Sequence, residues 1–395
     1  MYIRNCVVAR QNARAVSQGV HEGLGKEIDE GADKEANAEI SRWKDKEKDG
    51  ESDEQPDKVL DEELDGDLNG ERVGKLVGKL NRGLANSEIV PLFNLYRLNR
   101  LAQRGHKILG AVKKQCESLK APSVIAVTES YLLLEYIQGV PLGSWNRTSL
   151  SSQRRRKLLE GLASFYCMLW NTKIETENPG RSYRDWLTDE VDKGLSRSLK
   201  QNDGRWGDPL SFLLRRTLVD SDCFQIEDRG WLVRHGDMNA WNVIVDEDGF
   251  AGVVDWDTAQ VVPAAAAIQH PLFLADIPGW YNDDVPSDQT FEQDREYLED
   301  TIENLHHDPV EATKVRTLLR TSFQRQFLEL SLRNRRINQE YIKTEVPKLE
   351  YSESLARSHM EEFLSHHHDM RNHPSVIDLE DRMHRKGLSS DYVLP

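Results

Sequence analysis

A tight hairpin predicted near the middle of the chain constrains the fold more than any other part of the sequence. Residues 242–245 read as a short apolar strand, and residues 251–254 read as the strand that returns. Between them, residues 247–250 contain the Asp-Gly pair that is typical of a tight turn. Such a hairpin brings the start of its first strand beside the end of its second. We therefore expect Asn242 and Asp255 to be neighbours in space.

Polar side chains that carry oxygen atoms are spaced regularly around this hairpin. Asp237 and Asn242 have four residues between them, and Asp255 follows Asn242 by thirteen positions. Amide and carboxylate oxygens are suitable ligands for a shared Mg²⁺ ion. Phosphoryl transfer from ATP needs a carboxylate to orient or deprotonate the acceptor hydroxyl, and oxygen ligands to hold Mg²⁺ on the phosphates. The three side chains suit that chemistry.

These residues, in this order, resemble the catalytic segment of the aminoglycoside phosphotransferase family, a kinase-like group of small-molecule kinases. The family's His-Gly-Asp motif, with an Asn five positions after the Asp, matches residues 235–242. Its second motif, an apolar residue followed by Asp, an aromatic residue and an acid, matches residues 254–257. Gly236 stands where protein kinases carry Arg, which favours a small-molecule kinase. A chance grouping of these residues in a surface loop is the alternative.

The resemblance implies a fold, a reaction and roles for particular residues. The fold is α+β and two-lobed, like a protein kinase, with a small antiparallel β lobe and a larger, mainly helical lobe. The reaction is transfer of the γ-phosphate of ATP to a hydroxyl of a small metabolite, with Mg²⁺ as the metal. Asp237 would be the catalytic base, and His235 would brace the catalytic loop. Asn242 and Asp255 would be the Mg²⁺ ligands.

The sequence upstream contains a second match to the same family. Residues 123–127 and 131–137 read as two strands joined by a short turn. The end of the second strand resembles the family's hinge between the lobes, where backbone groups bond the adenine of ATP. The resemblance assigns those contacts to Glu135, Tyr136 and Ile137. On physical grounds alone, a buried strand followed by a turn explains this segment equally well.

A kinase-like fold also needs a Lys that holds the α- and β-phosphates and a Glu that holds this Lys. Lys79 is our candidate because it ends a strand predicted over residues 72–80, and Lys75 is its rival. Glu88 is the candidate partner, in the first turn of a helix predicted from Ser87 to Gly105. Exposed strand lysines, and a Glu that stabilises a helix N-terminus, are the ordinary alternatives.

The phosphate-covering loop is the poorest match to the family. Residues 64–70 contain two glycines, but they also contain two aspartates, which would repel a triphosphate. This departure supports a second hypothesis from another class of function. The chain would then be a non-catalytic pseudokinase or nucleotide-binding scaffold, whose acidic N-terminal segment recruits a protein partner.

The acidic charge of the chain is concentrated in one segment. The formal net charge is −15, and residues 21–71 contribute 20 Asp and Glu against 7 Lys and Arg. The rest of the chain is close to neutral, and no basic surface that would bind nucleic acid is expected. Residues 1–71 also lack apolar periodicity, so we expect them to be disordered. They are the candidate binding segment for a protein partner.

Domain organisation and compartment follow from the same composition. We predict a β-rich lobe over residues 72–138 and a helical catalytic lobe with a polar tail over residues 139–395. An apolar stripe over residues 158–169 predicts a long helix early in that second lobe. The four cysteines form no CxxC pair, and neither a signal peptide nor a membrane span is evident. These features favour the cytoplasm.

The acceptor is the part of the reaction on which the sequence is least informative. Several acids and aromatic residues follow the second motif, where this family builds its acceptor pocket: Phe273, Asp276, Trp280, Tyr281, Asp283 and Asp284. The acids are equally explained as exposed loop charges, and the aromatic residues as packing. Residues 366–369, three His and an Asp, read as a solvated cluster rather than a metal site.

Overall fold

The computed structural model describes residues 93–97, 100–127, 131–146, 149–174, 181–201, 204–221, 224, 226, 230–280 and 291–386. Apart from Phe93 and Asn94, these residues belong to one unit, residues 95–395. Within them, three small sheets alternate with helices as far as residue 263, and the elements that follow are helical. The predicted fold class, α+β with a small antiparallel part and a larger helical part, is confirmed.

The first sheet contains three strands in the order β1–β3–β2. These strands are β1 (Phe93–Arg97), β2 (Val124–Val127) and β3 (Tyr131–Glu135). Strands β2 and β3 are antiparallel, with an irregular register between Val124 and Ala126. The two strands predicted here from the sequence are confirmed, although β3 ends at Glu135 rather than at residue 137.

The helix predicted from Ser87 to Gly105 is wrong over residues 93–97 and confirmed over residues 100–105. Residues 93–97 form strand β1, and helix α1 begins at Arg100 and continues through Gly105 to Gln115. The leucines that suggested a helix recur every three residues, but Phe93 and Leu95 alternate with Asn94, which suits a strand. A short apolar run fits both periods, and pairing within the sheet decides between them.

The predicted hairpin forms the centre of the second sheet. Strands β6 (Val243–Val245) and β7 (Phe250–Val253) are antiparallel, and β4 (Val140–Pro141) pairs with the outer edge of β6. The turn is closed by the Asp246 carboxylate, which accepts from the backbone N–H groups of Asp248 and Gly249 at 2.9 Å. A separate two-stranded ladder joins β5 (Trp231–Arg234) to β8 (Gln260–Pro263).

Ten further helices follow α1 in the described part of the chain. They are α2 (Ser152–Trp170), α3 (Tyr183–Lys200), α4 (Pro209–Val219), α5 (Ala264–Ala267), α6 (Glu292–Leu305), α7 (Pro309–Arg320), α8 (Ser322–Ser331), α9 (Arg335–Thr344), α10 (Glu353–His366) and α11 (Pro374–Lys386). Single 3-10 turns cover Val346–Lys348 and His368–Met370. None of the described helices is long and apolar enough to cross a membrane.

Local capping explains where several of these helices begin. Ser151 and Ser182 accept from the backbone N–H groups of the third residue after them, at the starts of α2 and α3. Asp208 and Asp308 each precede a proline at the first helical position, and each caps the helix that follows. Such side chains satisfy amide groups that have no partner within the helix.

Helix α2 packs the catalytic hairpin into the core. Its predicted apolar stripe is confirmed, because Leu158, Leu159, Leu162, Phe165, Tyr166 and Leu169 are all buried. The Phe165 ring lies 5.8 Å from the Phe250 ring and 6.4 Å from the Trp256 ring, measured between centroids. Gly161 faces Phe250 so closely that a Cβ atom there would overlap the ring. Aromatic packing therefore fixes the hairpin against α2.

Helix α1 packs against the end of the same hairpin. Gly105 is buried, and a Cβ atom there would overlap the Trp256 carbonyl group and crowd the Asp257 Cα atom. Only a residue without a side chain lets the helix approach this backbone. The distance between α1 and the residues that follow β7 is thus set by one glycine.

We expect Gly105→Ala to destabilise the fold by about 1–3 kcal/mol, because the added methyl group overpacks rigid backbone. Gly110→Ala is the matched control in the same helix, since a Cβ atom at Gly110 meets nothing within 4 Å. That control should stabilise the protein by about 0.5–1 kcal/mol through helix propensity. Urea unfolding of both variants measures the two effects. Equal changes in the free energy of unfolding would show that α1 is free to move away from Trp256.

Candidate active site

The ladder of β5 and β8 brings two separate segments together. The strands pair antiparallel from Trp231 with Pro263 to Arg234 with Gln260. The end of β5 therefore lies beside the start of β8, and the segments 235–242 and 254–259, which adjoin these strand ends, converge. The Thr258 hydroxyl donates to the His235 carbonyl oxygen at 3.0 Å and closes this junction.

Gly236 occupies the point of closest approach between these segments. Its φ is +88°, a backbone conformation that favours glycine, and a Cβ atom there would overlap the Thr258 carbonyl oxygen. Gly236, which by family resemblance favours a small-molecule kinase, is therefore also required by the packing of this chain. Any side chain at this position would push the Asp237 loop away from Thr258.

His235 is 2% exposed and lies between the two converging segments. Its Nε2 atom is 2.9 Å from the Val254 carbonyl oxygen, and the Asp237 backbone N–H points to Nδ1 at 3.4 Å. These partners require that Nε2 carries the proton and donates to Val254. Burial lowers the pKa of His235, which keeps the ring neutral in that role. Trp256 packs edge-on against the ring at 5.0 Å.

The Asp237 carboxylate is held by two side-chain amides. Asn239 Nδ2 donates to Asp237 Oδ1 at 2.8 Å, and Asn242 Nδ2 donates to Oδ2 at 3.2 Å. Asn242 Nδ2 also donates to the Asp237 carbonyl oxygen at 2.9 Å. Because each carboxylate oxygen accepts from a different residue, the rotation of the Asp237 side chain is fixed.

Asn239 was missed by the sequence reasoning, although it holds both ends of this loop. Its Oδ1 atom accepts from the backbone N–H groups of Trp241 and Asn242, at 2.8 and 3.1 Å. This is the turn that an Asn side chain makes with the backbone two and three residues ahead. The signal that could have found it is an Asn two positions after the Asp and three before Asn242.

Asn242 and Asp255 are neighbours, as the hairpin predicts. The backbone N–H of Val254, directly before Asp255, donates to the Asn242 carbonyl oxygen at 2.9 Å. Asn242 is 2% exposed, and its amide nitrogen is engaged with Asp237. The remaining polar atom of its side chain is the amide oxygen. Asp255 has φ +63°, which is uncommon for a residue with a side chain and is concentrated at functional sites.

Several carboxylates share this small region. Burial is the largest cause that raises the pKa of Asp255 to about 6, and the neighbouring Asp257 and Asp237 charges add to it. Burial also raises the pKa of Asp257. Crowded acids with raised pKa values are a donor set for which a divalent cation would relieve the repulsion. Asn242 and Asp255 are therefore suitable oxygen ligands.

Two protein ligands are enough for the metal that this chemistry implies. Among the residues that the structure describes, no group of three or more His, Cys, Asp or Glu is arranged to hold a metal by itself. Mg²⁺ is commonly bound by one or two carboxylates, with substrate phosphates and waters completing its shell. The pair Asn242 and Asp255 fits that pattern.

The three predicted hinge residues lie at and after the end of the first sheet. Glu135 is the last residue of β3, and Tyr136 and Ile137 lie between β3 and β4. The Glu135 backbone N–H donates to the Ser123 carbonyl oxygen at 2.9 Å, and its carboxylate accepts from the Ser123 N–H at 2.9 Å. The side-chain bond with Ser123 is the main cause that lowers the pKa of Glu135. Tyr136 is 37% exposed and Ile137 is half-buried. The chain then enters β4, which pairs with β6 of the catalytic hairpin.

The other residues singled out from the sequence have different fates. Lys75, Lys79, Glu88, residues 64–70, Tyr281, Asp283 and Asp284 lie outside the described residues. Phe273 is 1% exposed and packs against the Trp145 ring at 5.5 Å, and Asp276 forms an ion pair with Arg295. Phe273 therefore packs in the core, and Asp276 is a charge paired within the fold. His366 and His368 are exposed, as expected of a solvated cluster.

Trp241 is an aromatic residue of the loop that the sequence reasoning did not consider. It is 55% exposed, whereas its neighbours Ala240 and Asn242 are buried. A large exposed ring directly beside Asn242 is suited to contact a molecule that approaches the loop. The signal available in the sequence was its position directly before the predicted metal ligand Asn242.

We expect Asp255→Asn to stabilise the metal-free protein at pH 7.5 but much less at pH 4.5. The folded-state pKa of Asp255 lies above its ordinary value, so its stabilising contribution is present at low pH and is lost as pH rises through about 6. A shift of this size corresponds to about 1–3 kcal/mol. Urea unfolding with EDTA at both pH values measures the effect. The exposed Asp248→Asn change is the control.

An equal gain in stability at both pH values would contradict this electrostatic cause. Relief of the positive φ would then explain the gain, because Asn adopts that conformation more readily than most residues.

Part of the chain is similar to a known family of proteins. Residues 83–266, slightly less than half of the chain, match the model of the phosphotransferase enzyme family. No curated protein matches the chain.

Several solved structures are similar to this chain. A gentamicin complex of APH(2'')-IIa is 16% identical, with a TM-score of 0.43, over 76% of this chain and 97% of that one. An ethanolamine kinase from Plasmodium vivax is 11% identical, with a TM-score of 0.46, over 76% and 96% of the two chains. The macrolide 2'-phosphotransferase MphH from Brachybacterium faecium is 13% identical, with a TM-score of 0.38, over 68% and 82%.

The family match includes the whole of the loop and hairpin that hold Asp237, Asn242 and Asp255. Over residues 83–266 this chain is therefore similar to the phosphotransferase enzyme family.

Proposed function

We propose that this protein is an ATP-dependent kinase that transfers the γ-phosphate to a hydroxyl group of a small molecule. The observation that carries the proposal is the fixed Asp237 carboxylate, bonded through both oxygens to Asn239 and Asn242 beside Asp255. Phosphoryl transfer depends mainly on positioning and on charge stabilisation, and this loop is built to hold one carboxylate in one orientation.

Asp237 would orient the acceptor hydroxyl and take its proton as the oxygen attacks the γ-phosphorus atom. One oxygen of this carboxylate accepts from Asn242, whose amide oxygen is left to bind Mg²⁺. Asp255 would supply the second protein ligand. The metal would neutralise charge on the phosphates. A single residue, Asn242, thus couples the candidate base to the candidate metal site.

His235 would act without touching the substrate. Its neutral ring bridges the loop to the Val254 carbonyl oxygen, one residue before Asp255. This bond ties the position of the candidate base to the position of the candidate metal ligand. We therefore assign His235 the bracing role that the family resemblance implies.

The nucleotide would be held by the hinge and by upstream residues. The Glu135 N–H already donates to Ser123, so adenine recognition would fall to the backbone of Tyr136 and Ile137. Lys79 and Glu88 remain our proposals for the phosphate-binding pair on the strength of the family resemblance. The acceptor is proposed to meet the loop at the exposed Trp241 ring.

Other parts of the proposal come from the sequence. The chain would work in the cytoplasm, and the acidic residues 1–71 would bind a protein partner. The acids in residues 64–70 favour one alternative, a nucleotide-binding scaffold without turnover. Both the enzyme and the scaffold should show a higher Tm with ATP and Mg²⁺, whereas a protein that binds no nucleotide should not. Turnover then separates the enzyme from the scaffold.

We expect wild-type protein to consume ATP with at least one member of a panel of amino alcohols, amino sugars and aminoglycosides. Asp237→Asn should lower kcat by about 10²–10⁴-fold, because the variant keeps the side-chain shape but cannot accept a proton. The KM for ATP should stay within about threefold, since Asp237 does not bind nucleotide in this mechanism. Coupled ADP release measures both constants.

Asp248→Asn is the matched control, because it makes the same chemical change at an exposed position of the hairpin turn. It should leave kcat unchanged. An Asp237→Asn variant with full activity would rule out the proposed base, and Mg²⁺-dependent ATP binding without turnover would support the scaffold.

A further inference from the structure

We propose that Glu329 is a positioning residue for the catalytic loop and that it acts through Arg234. The two side chains form a buried ion pair behind the loop, and neither belongs to the predicted site. The catalytic part of this inference rests on the proposed function. The structural part, control of the loop by a carboxylate on a distant helix, can be tested without any turnover.

Arg234 connects directly to the loop. It is the last residue of β5, pairs with Gln260 of β8 and immediately precedes His235. Its side chain is 11% exposed, and Nη1 donates to Glu329 Oε2 at 2.6 Å and to the Ala266 carbonyl oxygen at 3.2 Å. The guanidinium therefore ties the end of β5 to two other elements, α8 and α5.

Glu329 collects bonds from three segments of the chain. Its side chain is 4% exposed, on the inner face of α8. Oε1 accepts from the Tyr183 hydroxyl and from Gln269 Nε2, each at 3.0 Å, while Oε2 accepts from Arg234. The start of α3, the end of β5 and the turn after α5 are thus joined at one carboxylate.

A second layer of contacts keeps Arg234 in place. Its guanidinium lies 5.3 Å from the centre of the Trp186 ring, and Arg333 lies 5.8 Å from the same ring. With its amide oxygen turned toward the two guanidinium groups, Gln260 accepts from Arg234 Nη2 at 2.6 Å and from Arg333 at 3.0 Å. Arg333 is paired with Glu190 at 2.7 Å. Each of the two arginines is therefore paired with one carboxylate, Arg234 with Glu329 and Arg333 with Glu190.

The cost of removing one partner follows from burial. A buried ion pair is a weak source of stability, but the loss of one partner leaves the other charged and unsatisfied. Without the Glu329 carboxylate, Arg234 would keep only neutral acceptors among the described residues, those of Ala266 and Gln260. Its uncompensated charge would favour a shift of the guanidinium, which would carry the adjacent His235 with it. A displacement of about 1 Å at a reacting group can cost about 100-fold in rate. The effect should appear in the chemical step rather than in nucleotide binding.

The test compares Glu329→Gln with a matched control, Asp294→Asn. Asp294 is a buried acid on α6 whose partners include an arginine, Arg155, and an aromatic N–H group, that of Trp145. Both changes keep side-chain shape and remove one buried negative charge. Arg155 and Trp145 belong neither to β5 nor to the catalytic loop, so the control should lose stability without disturbing the loop.

We expect Glu329→Gln to lower kcat about 10–100-fold with the KM for ATP within about twofold. Asp294→Asn should stay within about threefold of wild type in kcat at a comparable loss of stability in urea. Hydrogen exchange followed by mass spectrometry should show faster exchange of residues 235–242 in Glu329→Gln alone. Equal kcat values in the two variants, or unchanged exchange of the loop in Glu329→Gln, would overturn the inference.

Tyr183→Phe serves if Glu329→Gln does not fold, because it removes one bond to Glu329 and keeps the ion pair. It should give a smaller change of the same kind, with faster exchange of residues 235–242, and wild-type exchange would overturn the inference. If wild-type protein turns over no acceptor on the panel, the proposed function fails. The exchange comparison still decides whether Glu329 controls the loop.

Discussion

The close approach of Gly236 to Thr258 is the constraint on which the rest of the candidate site depends. It lets the loop after β5 lie against the segment before β8, where the Thr258 hydroxyl and the His235 ring close the junction. With a side chain at this position, the loop that carries Asp237 would have to move away from Thr258 and the segment that carries Asp255. A residue without a side chain therefore lets the two sequence motifs approach closely enough to form one site.

Charge is distributed differently at the site and behind it. Behind the loop, Glu329 and Arg234 neutralise each other's charge, and their ion pair links α8 to the end of β5. At the site, Asp255 is buried near other acids with a raised pKa and a positive φ. The first arrangement pairs opposite charges, whereas the second places like charges close together, and a bound cation would relieve their repulsion. This contrast is what we expect of a structural pair and a ligand-binding group.

The sequence predicted the hairpin and its consequences because they are local. Strand period, an Asp-Gly turn and short spacing make Asn242 and Asp255 neighbours whatever the rest of the chain does. The α2 stripe was predictable for the same reason. The helix predicted from Ser87 to Gly105 was wrong over residues 93–97, because these residues fit both a strand and a helix, and only their place beside β3 decides between them. The roles assigned to Lys79 and Glu88 stay predictions.

By itself, the sequence determined which residues could carry the chemistry and in what order they occur along the chain. The tertiary structure decided what holds them. Asn239 bonds to Asp237, and Glu329 reaches Arg234 across 95 positions of the chain. The first interaction depends on the rotation of one amide, and the second on where the fold places Glu329 of α8 relative to Arg234. Only the first has a spacing that can be read from the sequence, because contacts between elements, such as the second, are set by packing in three dimensions.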